Sequence, residues 1–283
     1  DDLDRLRLAA TSNLLSRQDV IVVSSVSCLF GLGSPVNYGD RVIPLVVGQD
    51  MDRRELLLRL TDMQYNRNEI EFTRGQFRLR GEVLEVYPAY EQFAIRVEFF
   101  GDTIERIELI HPTTGEILAE EKKAFLFPAV HYVLPEDQLT DAVQSIRDEA
   151  TRRCAQLKKE GKLLESQRLM ARTRYDLEML QEVGYCPGIE NYARHLEGRP
   201  AGSRPSTLLD YFSHVPGLQP NEWTVFIDES HVTIPQIRAM YNGDRARKQV
   251  LVDHGFRLPS AMDNRPLTFD EFLDIVPSTI HVS

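Results

Sequence analysis

The spacing of apolar side chains near the start of the chain predicts a helix followed by a strand. Leu3, Leu6, Ala10 and Leu14 recur close to the helical period over the first sixteen residues. The following run, Asp-Val-Ile-Val-Val-Ser-Ser-Val-Ser from residue 19 to 27, is short and rich in β-branched residues, which is typical of a buried strand in a parallel sheet. Together they predict an α/β unit.

The middle of the chain changes to the spacing of β-strands. Residues 71–88 and 93–110 alternate apolar and polar side chains and are punctuated by glycine and proline. We therefore predict a small α+β domain over residues 34–131, dominated by antiparallel strands. On one of its strands Phe77 and Leu79 face one side, and Arg78 and Arg80 face the other, so both guanidinium groups are expected to project into solvent.

From residue 135 the apolar spacing returns to steps of three and four. This pattern predicts a helical hairpin or a long bent helix, with a break at Gly161 and an end at Gly184. Residues 197–222 are rich in proline, glycine and serine and read as a connection. The predicted divisions are a first segment over 1–33, the α+β domain over 34–131, a helical domain over 132–214 and a last segment over 215–283.

Composition narrows the class of protein. The chain has 283 residues, of which 42% are hydrophobic and 27% charged, as expected for a soluble globular protein of two or three domains. Its three cysteines show no CxxC spacing, which argues against a disulfide framework or a zinc site and for a reducing cytoplasm. The acidic amino terminus and the short apolar runs predict neither export nor a membrane span.

The net charge of −10 argues against coating nucleic acid by bulk electrostatics. Residues 238–257 nevertheless hold five basic side chains against two acids. Such a local cluster is more typical of a solvated helix face than of a phosphate cradle.

A carboxylate pair follows the buried run Val225–Ile227. Asp228 and Glu229, with Ser230 and His231, stand where such a strand ends, and ligands of open parallel sheets bind beyond that end. One acid there can hold nucleotide-bound Mg²⁺ through a water while its neighbour orients the attacking water. The alternative is that these residues cap the following helix. A metal-dependent nuclease is disfavoured, because it would need several carboxylates converging on two metals.

Four segments together resemble the UvrB family, the damage-verifying subunit of bacterial nucleotide excision repair. They are the stretches "RQDVIVVSSVSCLFGLGSP", "QYNRNEIEFTRGQFRLRGEVLEVYP", "LLESQRLMARTRYDLEMLQEVGYCPGIENYARHL" and "FIDESHVTIPQIRAMYNGDRARKQVLVDHGFRLPSAMDNRPLTFDEF". The resemblance implies a partial RecA-like helicase motor domain with an inserted α+β UvrA-binding domain and a helical DNA-facing domain. It also implies a subunit that is loaded by UvrA, verifies damaged DNA by ATP-dependent limited strand separation, and recruits the UvrC nuclease.

The resemblance also implies three groups of site residues. The UvrA-binding residues would be Arg67, Arg78, Arg80, Arg96 and Glu98, with an ordinary solvated sheet face as the alternative. The DNA-binding residues would be Arg7, Tyr132, Arg172, Arg247 and Lys248, with surface or core positions as the alternative. Asp228 (with Mg²⁺, through a water), Glu229 and His231 would be catalytic, His231 coupling the nucleotide site to DNA.

No Gly-x-x-x-x-Gly-Lys sequence occurs in the chain. The resemblance places that phosphate-binding loop and a DNA-clamping β-hairpin before residue 1, and the second motor domain beyond residue 283. The chain is therefore expected to be a fragment that neither holds ATP and Mg²⁺ nor turns ATP over alone. A further alternative is the non-catalytic UvrA-docking module of a transcription-repair coupling factor, against which the intact Asp-Glu-Ser-His argues.

Overall fold

The computed structural model describes residues 2–133 and 136–283. Its internal contacts group residues 1–16 with 36–133 and residues 17–35 with 134–283, so the chain forms two units. By its contacts, the first helix therefore belongs to the unit that contains the six-stranded sheet. The predicted divisions at 33, 131 and 214 stay predictions.

The first unit combines three helices with strands of two sheets among the residues described. Its helices are α1 (Asp2–Ser16), α2 (Pro35–Gly39, beginning at the unit boundary) and α3 (Arg53–Asp62). Its strands are β1 (Ile43–Val46), β2 (Asn66–Arg67), β3 (Gln76–Arg80), β4 (Val83–Tyr87), β5 (Ala94–Phe100), β6 (Thr103–Ile110), β7 (Ile117–Glu121) and β8 (Lys123–Leu126).

The larger sheet has the order β2-β3-β4-β5-β6-β7 and is antiparallel except for the parallel pair β2–β3, while β1 pairs with β8. This confirms a mainly antiparallel α+β domain. The predicted alternation is also confirmed, because Phe77 lies in the core with Leu79 packed against it. Leu56 and Leu60 of α3 join the same core, so the helix covers this face of the sheet. Gly81 turns β3 into β4 with φ of 65°, a left-handed conformation that favours glycine.

The second unit begins with the predicted helical hairpin, which is confirmed. Its helices are α4 (Glu136–Lys159), α5 (Leu163–Val183), α6 (Ala193–Leu196), α7 (Leu208–Phe212), α8 (Ser230–Asp253) and α9 (Phe269–Ile275). Its strands are β9 (Val225–Ile227) and β10 (Thr279–His281), and short 3₁₀ helices span Val26–Leu29, Ile189–Tyr192 and Pro259–Asp263. Gly161 lies in the turn between α4 and α5, and Gly184 ends α5 in the left-handed region at φ 74°.

The strand predicted near residue 20 is wrong in this structure. Residues 20–25 form neither a strand nor a helix and lead into the 3₁₀ helix at Val26. A strand exists only with a hydrogen-bonded neighbour, and the sheet described in this unit consists of β9 and β10 paired with each other. Ile21 and Val23 are accordingly 92% and 95% exposed.

The strand predicted before Asp228 is confirmed as β9. β10 pairs with it in parallel, with Thr279 opposite Val225 and His281 opposite Ile227. Ile227 is buried in a core that includes Trp223, Ile237 of α8 and Leu267. The carboxyl ends of both strands therefore lie beside the start of α8. Across the helices described, none combines the length and apolar character that a membrane crossing requires.

Candidate functional site

A row of alternating charges crosses the face of the large sheet opposite its core. In the strand register Arg78 is opposite Glu85, Glu85 opposite Arg96, and Arg96 opposite Glu108. Paired residues of neighbouring strands point to the same side, so these four side chains lie side by side on one face. We refer to Arg78, Glu85, Arg96 and Glu108 as the charge ladder.

The ladder is held by direct ion pairs. Arg78 Nε donates to Glu85 Oε2 at 2.5 Å, and Arg96 Nε donates to the other oxygen, Oε1, at 2.9 Å. Arg96 Nη1 reaches Glu108 Oε2 at 3.4 Å. Glu85 and Glu108 are only 7% and 3% exposed. Buried carboxylates of this kind are tolerated only when they are paired, and the two arginines supply that pairing.

The expectation that Arg78 and Arg80 both project into solvent is wrong for Arg78. Its side chain is 18% exposed, because it lies between Glu85 and the ring of Phe72, whose centroid is 4.3 Å from the guanidinium carbon. Arg80 is exposed as expected. The strand alternation fixed the face correctly, but the neighbours of each arginine come from other elements.

The edge of the sheet beside β3 is organised by Glu69. Arg67 Nε donates to Glu69 Oε1 at 3.0 Å, and Arg80 Nη2 donates to the Glu69 carbonyl at 3.0 Å. Burial opposes ionisation of Glu69, but hydrogen bonds from Arg67 and from the Leu79 N–H outweigh it and lower the pKa of the carboxyl. Arg67 and Arg80 are thereby brought together around one acidic residue.

The two remaining docking residues lie on β5. Arg96 belongs to the ladder, and Glu98 lies opposite Arg106, whose Nη1 is 3.9 Å from its carboxylate. Arg78, Arg80, Arg96 and Glu98 therefore share one face, with Arg67 on the strand that borders it.

The second candidate site is the acidic box, residues 228–231, at the carboxyl end of β9. Asp228 Oδ1 accepts the Glu229 N–H at 3.0 Å. Glu229 is the N-cap residue of α8, but its carboxylate makes no capping hydrogen bond. Its φ of 44° places a residue with a side chain in the left-handed region, a strained conformation that occurs preferentially at functional sites. The helix-capping alternative thus gains no hydrogen bond in its favour from Glu229.

The end of the chain lies beside the box. Ser230 N donates to the Val282 carbonyl at 2.8 Å, and Val282 N donates to the Ile227 carbonyl at 3.0 Å. The imidazole Nδ1 of His231 lies 2.8 Å from Ser283 Oγ and 3.5 Å from a Glu229 carboxylate oxygen. His231 therefore links the box to the segment that follows β10.

The box fits nucleotide-bound Mg²⁺ better than a protein-only metal site. Across residues 2–133 and 136–283, no three His, Cys, Asp or Glu side chains are grouped so as to hold a metal ion. Two neighbouring carboxylates with no lysine or arginine partner among the described residues could serve an ion whose other ligands are waters and phosphate oxygens. Asp228 and Glu229 are such a pair.

The predicted DNA-binding residues on the helical hairpin and α8 have partners inside the second unit. Arg172 Nε is 2.9 Å from buried Asp176, and its Nη2 donates to the Pro187 carbonyl at 3.0 Å. Lys248 is buried, lies 2.8 Å from Asp244 and donates to the Asn264 carbonyl. A phosphate contact by Lys248 would require this pairing to open.

The other three predicted DNA-binding residues are more accessible. Arg247 is 71% exposed and pairs with Asp244 at 3.1 Å. In the first unit, Arg7 lies on α1, 3.8 Å from Asp4, and is half exposed. Tyr132 is partly buried, just before the undescribed residues 134 and 135. Arg7 and Tyr132 belong to the first unit and Arg247 to the second.

Sequence reasoning missed the acidic and aromatic partners of the docking arginines. Glu85, Glu108, Glu69 and Phe72 each contact at least one of those arginines, yet none was predicted as a site residue. The sequence did contain one signal for Glu85. It is the single charged residue in the otherwise apolar run Val83–Tyr87, and a charged residue in such a strand is expected to pair with a side chain of a neighbouring strand.

The chain thus combines a charged sheet face, a helical hairpin and an acidic box at the end of a parallel strand. Two family models match the chain: the UvrB interaction domain over residues 43–132 and the UvrB third helical domain over residues 137–198. The chain belongs to the UvrB family.

Curated relatives extend the likeness over the whole chain. The chain is 57% identical over 284 residues to UvrABC system protein B of Geobacillus kaustophilus. It is 56% identical over 284 residues to the protein of that name from Bacillus caldotenax and 53% identical over 283 residues to the one from Streptomyces coelicolor. Each alignment covers 100% of this chain but only 42%, 42% and 39% of the relative. The chain therefore spans about two fifths of the length of these relatives.

Proposed function

We propose that this chain serves bacterial nucleotide excision repair by docking UvrA through the polar face of its large sheet. The observation that carries the proposal is the arrangement of Arg67 and Arg80 around Glu69, next to a charge ladder whose buried members are already paired. Exposed guanidinium groups held in this way can pair bidentately with carboxylates of a partner protein.

Pre-organisation is what distinguishes this face from an ordinary solvated one. An arginine on a solvated face loses side-chain freedom when a partner binds, and that loss weakens the complex. Here Arg67 and Arg80 are already restrained by Glu69, so less freedom remains to be lost. Family membership supports the same partner, since residues 43–132 match the UvrB interaction domain.

The test is a calorimetric titration of UvrA against the chain and its Arg67→Glu/Arg80→Glu variant. We expect at least a thirtyfold loss of affinity, since truncating one side of an interfacial charge pair costs about 2 kcal/mol or more. Wild-type binding should also weaken as salt is raised, because exposed charges are screened.

Arg54→Glu is the matched control, because Arg54 is exposed on α3, on the core side of the sheet, and the substitution changes the charge as much as each single substitution of the double variant does. It should leave the affinity nearly unchanged. Equal affinities for the double variant and the wild type would assign the arginines to a solvated face and remove the proposal.

We further propose that the acidic box is the metal side of an ATP site in the longer protein. Asp228 would hold Mg²⁺ through a water and Glu229 would orient the attacking water, while bound Mg²⁺ would neutralise charge on the phosphates. His231 would couple the nucleotide site to the segment after β10 through its hydrogen bond with Ser283. Verification of damaged DNA by limited strand separation, with hand-over to the UvrC nuclease, is the activity such a site would drive.

A further inference from the structure

Residues 68–73 form a tight turn between β2 and β3, which we call the Ile70 turn. Asn68 Oδ1 accepts the backbone N–H groups of Ile70 at 3.1 Å and Glu71 at 3.2 Å. A side-chain amide that bonds two backbone groups in this way fixes a turn locally, without help from the rest of the fold.

The Ile70 turn is also fastened to the sheet on both sides of its tip. Before the tip, Glu69 Oε1 accepts from Arg67 and, at 3.4 Å, from the Leu79 N–H of β3. After the tip, the Phe72 ring packs at 5.8 Å from the ring of Tyr87, and Thr73 N donates to Gln76 Oε1 at 3.0 Å. The backbone conformation of the turn is therefore set before any partner arrives.

Ile70 itself lies at the tip and is 96% exposed. An isoleucine there buries almost none of its apolar surface within the chain, so the fold gains little from it. Single exposed apolar residues are ordinary on protein surfaces. Ile70 is unusual because it lies at the tip of a turn whose adjacent residues are held by hydrogen bonds and ring contacts.

The surroundings of Ile70 identify the chemistry of a partner. Arg67 and Arg80 flank the tip through their contacts with Glu69, the residue just before it. An apolar anchor beside two guanidinium groups is complementary to an apolar pocket bordered by carboxylates. Anchors of this kind, enclosed by polar contacts that exclude water, carry most of the energy of protein interfaces.

We infer that Ile70 is the apolar anchor of the docking face and inserts into a pocket of the partner protein whose rim carboxylates pair with Arg67 and Arg80. The inference rests on the proposed docking function and adds a residue and a type of contact that the charges alone do not supply. Because the turn is already ordered, insertion would cost little conformational freedom, so the buried surface would translate efficiently into affinity.

The experiment titrates UvrA with the chain carrying Ile70→Ala, Ile70→Leu or Leu58→Ala. Leu58 is the matched control, since it is a large apolar side chain, 67% exposed, on α3 of the same unit. Ile70→Ala should weaken binding about thirtyfold, as expected from removing three buried carbon atoms. Ile70→Leu should retain most of the affinity, and Leu58→Ala should change it less than about twofold.

Salt dependence separates the anchor from the charges around it. The loss caused by Ile70→Ala should be the same at low and high salt, whereas the loss caused by Arg67→Glu/Arg80→Glu should shrink as salt is raised. The thermal midpoint of Ile70→Ala should equal that of the wild type, because the side chain is exposed in the folded chain.

Three outcomes would overturn the inference. If Ile70→Ala binds as tightly as the wild type while Arg67→Glu/Arg80→Glu is weakened, the proposed docking function is supported and the role of Ile70 as its anchor is refuted. If neither variant binds more weakly than the wild type, both the docking function and the anchor role of Ile70 are refuted. If the wild-type chain self-associates, and Ile70→Asp abolishes this without changing UvrA affinity, the anchor serves a second copy of the chain instead.

Discussion

The carboxylates on the polar face of the large sheet and those of the acidic box differ in burial and in pairing. On the sheet, Glu85 lies between two arginines and is almost completely buried. In the box, Asp228 and Glu229 are exposed and have no arginine or lysine partner among the described contacts. A paired carboxylate positions its neighbours, whereas a carboxylate without a protein cation is available to a ligand. This difference is why docking is proposed for the first region and ATP chemistry for the second.

The backbone follows the same division. The strands of the ladder are regular and antiparallel through Glu85 and Arg96, whereas Glu229 is held at φ 44° between β9 and α8. Strain of this kind persists where the surrounding structure imposes it, here the parallel pairing of β9 with β10 on one side and the first turn of α8 on the other.

The largest expected effect tests whether the box is chemical. In the full-length protein Glu229→Gln should lower ATP turnover by about a hundredfold or more, because an amide keeps the shape but cannot act as a base. Nucleotide binding should be nearly retained, as judged by titration with a fluorescent ATP analogue.

Asp274→Asn, on an exposed position of α9, is the control and should hydrolyse ATP at the wild-type rate. Wild-type turnover in Glu229→Gln would mean that the box does no chemistry, and the contrast with the ladder would then be only one of exposure.

The next effect tests whether the ladder is structural. Arg78→Glu should destabilise the chain by about 3 to 5 kcal/mol, since it removes one of the two arginine partners of buried Glu85 and places a second acid beside it. Arg80→Glu, two residues along the same strand but exposed, should change stability by less than about 1 kcal/mol. Urea unfolding followed by circular dichroism measures both. Similar midpoints for the two variants would show that the ladder contributes nothing special to the fold.

The smallest effect tests the strain in the box. Glu229→Gly should stabilise the second unit by about 0.5 to 1 kcal/mol, because glycine adopts a positive φ without steric cost. The same variant should lose ATP turnover in the full-length protein, so stability and activity would move in opposite directions. Calorimetry on the chain would detect the shift, and a lower unfolding temperature would indicate that the left-handed backbone at residue 229 is not strained.

Patterns that depend on one element were predictable from the sequence. The alternation around Phe77 and Leu79, the break at Gly161 and the strand before Asp228 each follow from local spacing, and each is confirmed. The run after Val20 failed for the opposite reason. Its β-branched residues favour a strand, but strand formation depends on a partner that a single segment does not specify.

The site was predictable in residue type but not in pairing. The sequence predicted the arginines of the proposed docking face but not their partners in the fold, because which side chain faces Arg78 depends on the register between β3 and β4. Likewise, nothing in Asp-Glu-Ser-His signals that Glu229 adopts a positive φ. That conformation belongs to a junction of only two residues, Asp228 and Glu229, between β9 and α8.

The charge ladder also bears on how the sheet avoids misfolded pairings. A shift of two residues between neighbouring strands would keep every apolar side chain on the core face, so burial alone does not exclude it. From the observed register, such a shift in one direction would bring Glu85 opposite Glu98 between β4 and β5. Between β5 and β6 it would bring Glu98 opposite Glu108, or Arg96 opposite Arg106, depending on direction. Like charges directly across a strand pair are unfavourable, so the same residues that order the docking face penalise these alternative alignments while the chain is folding.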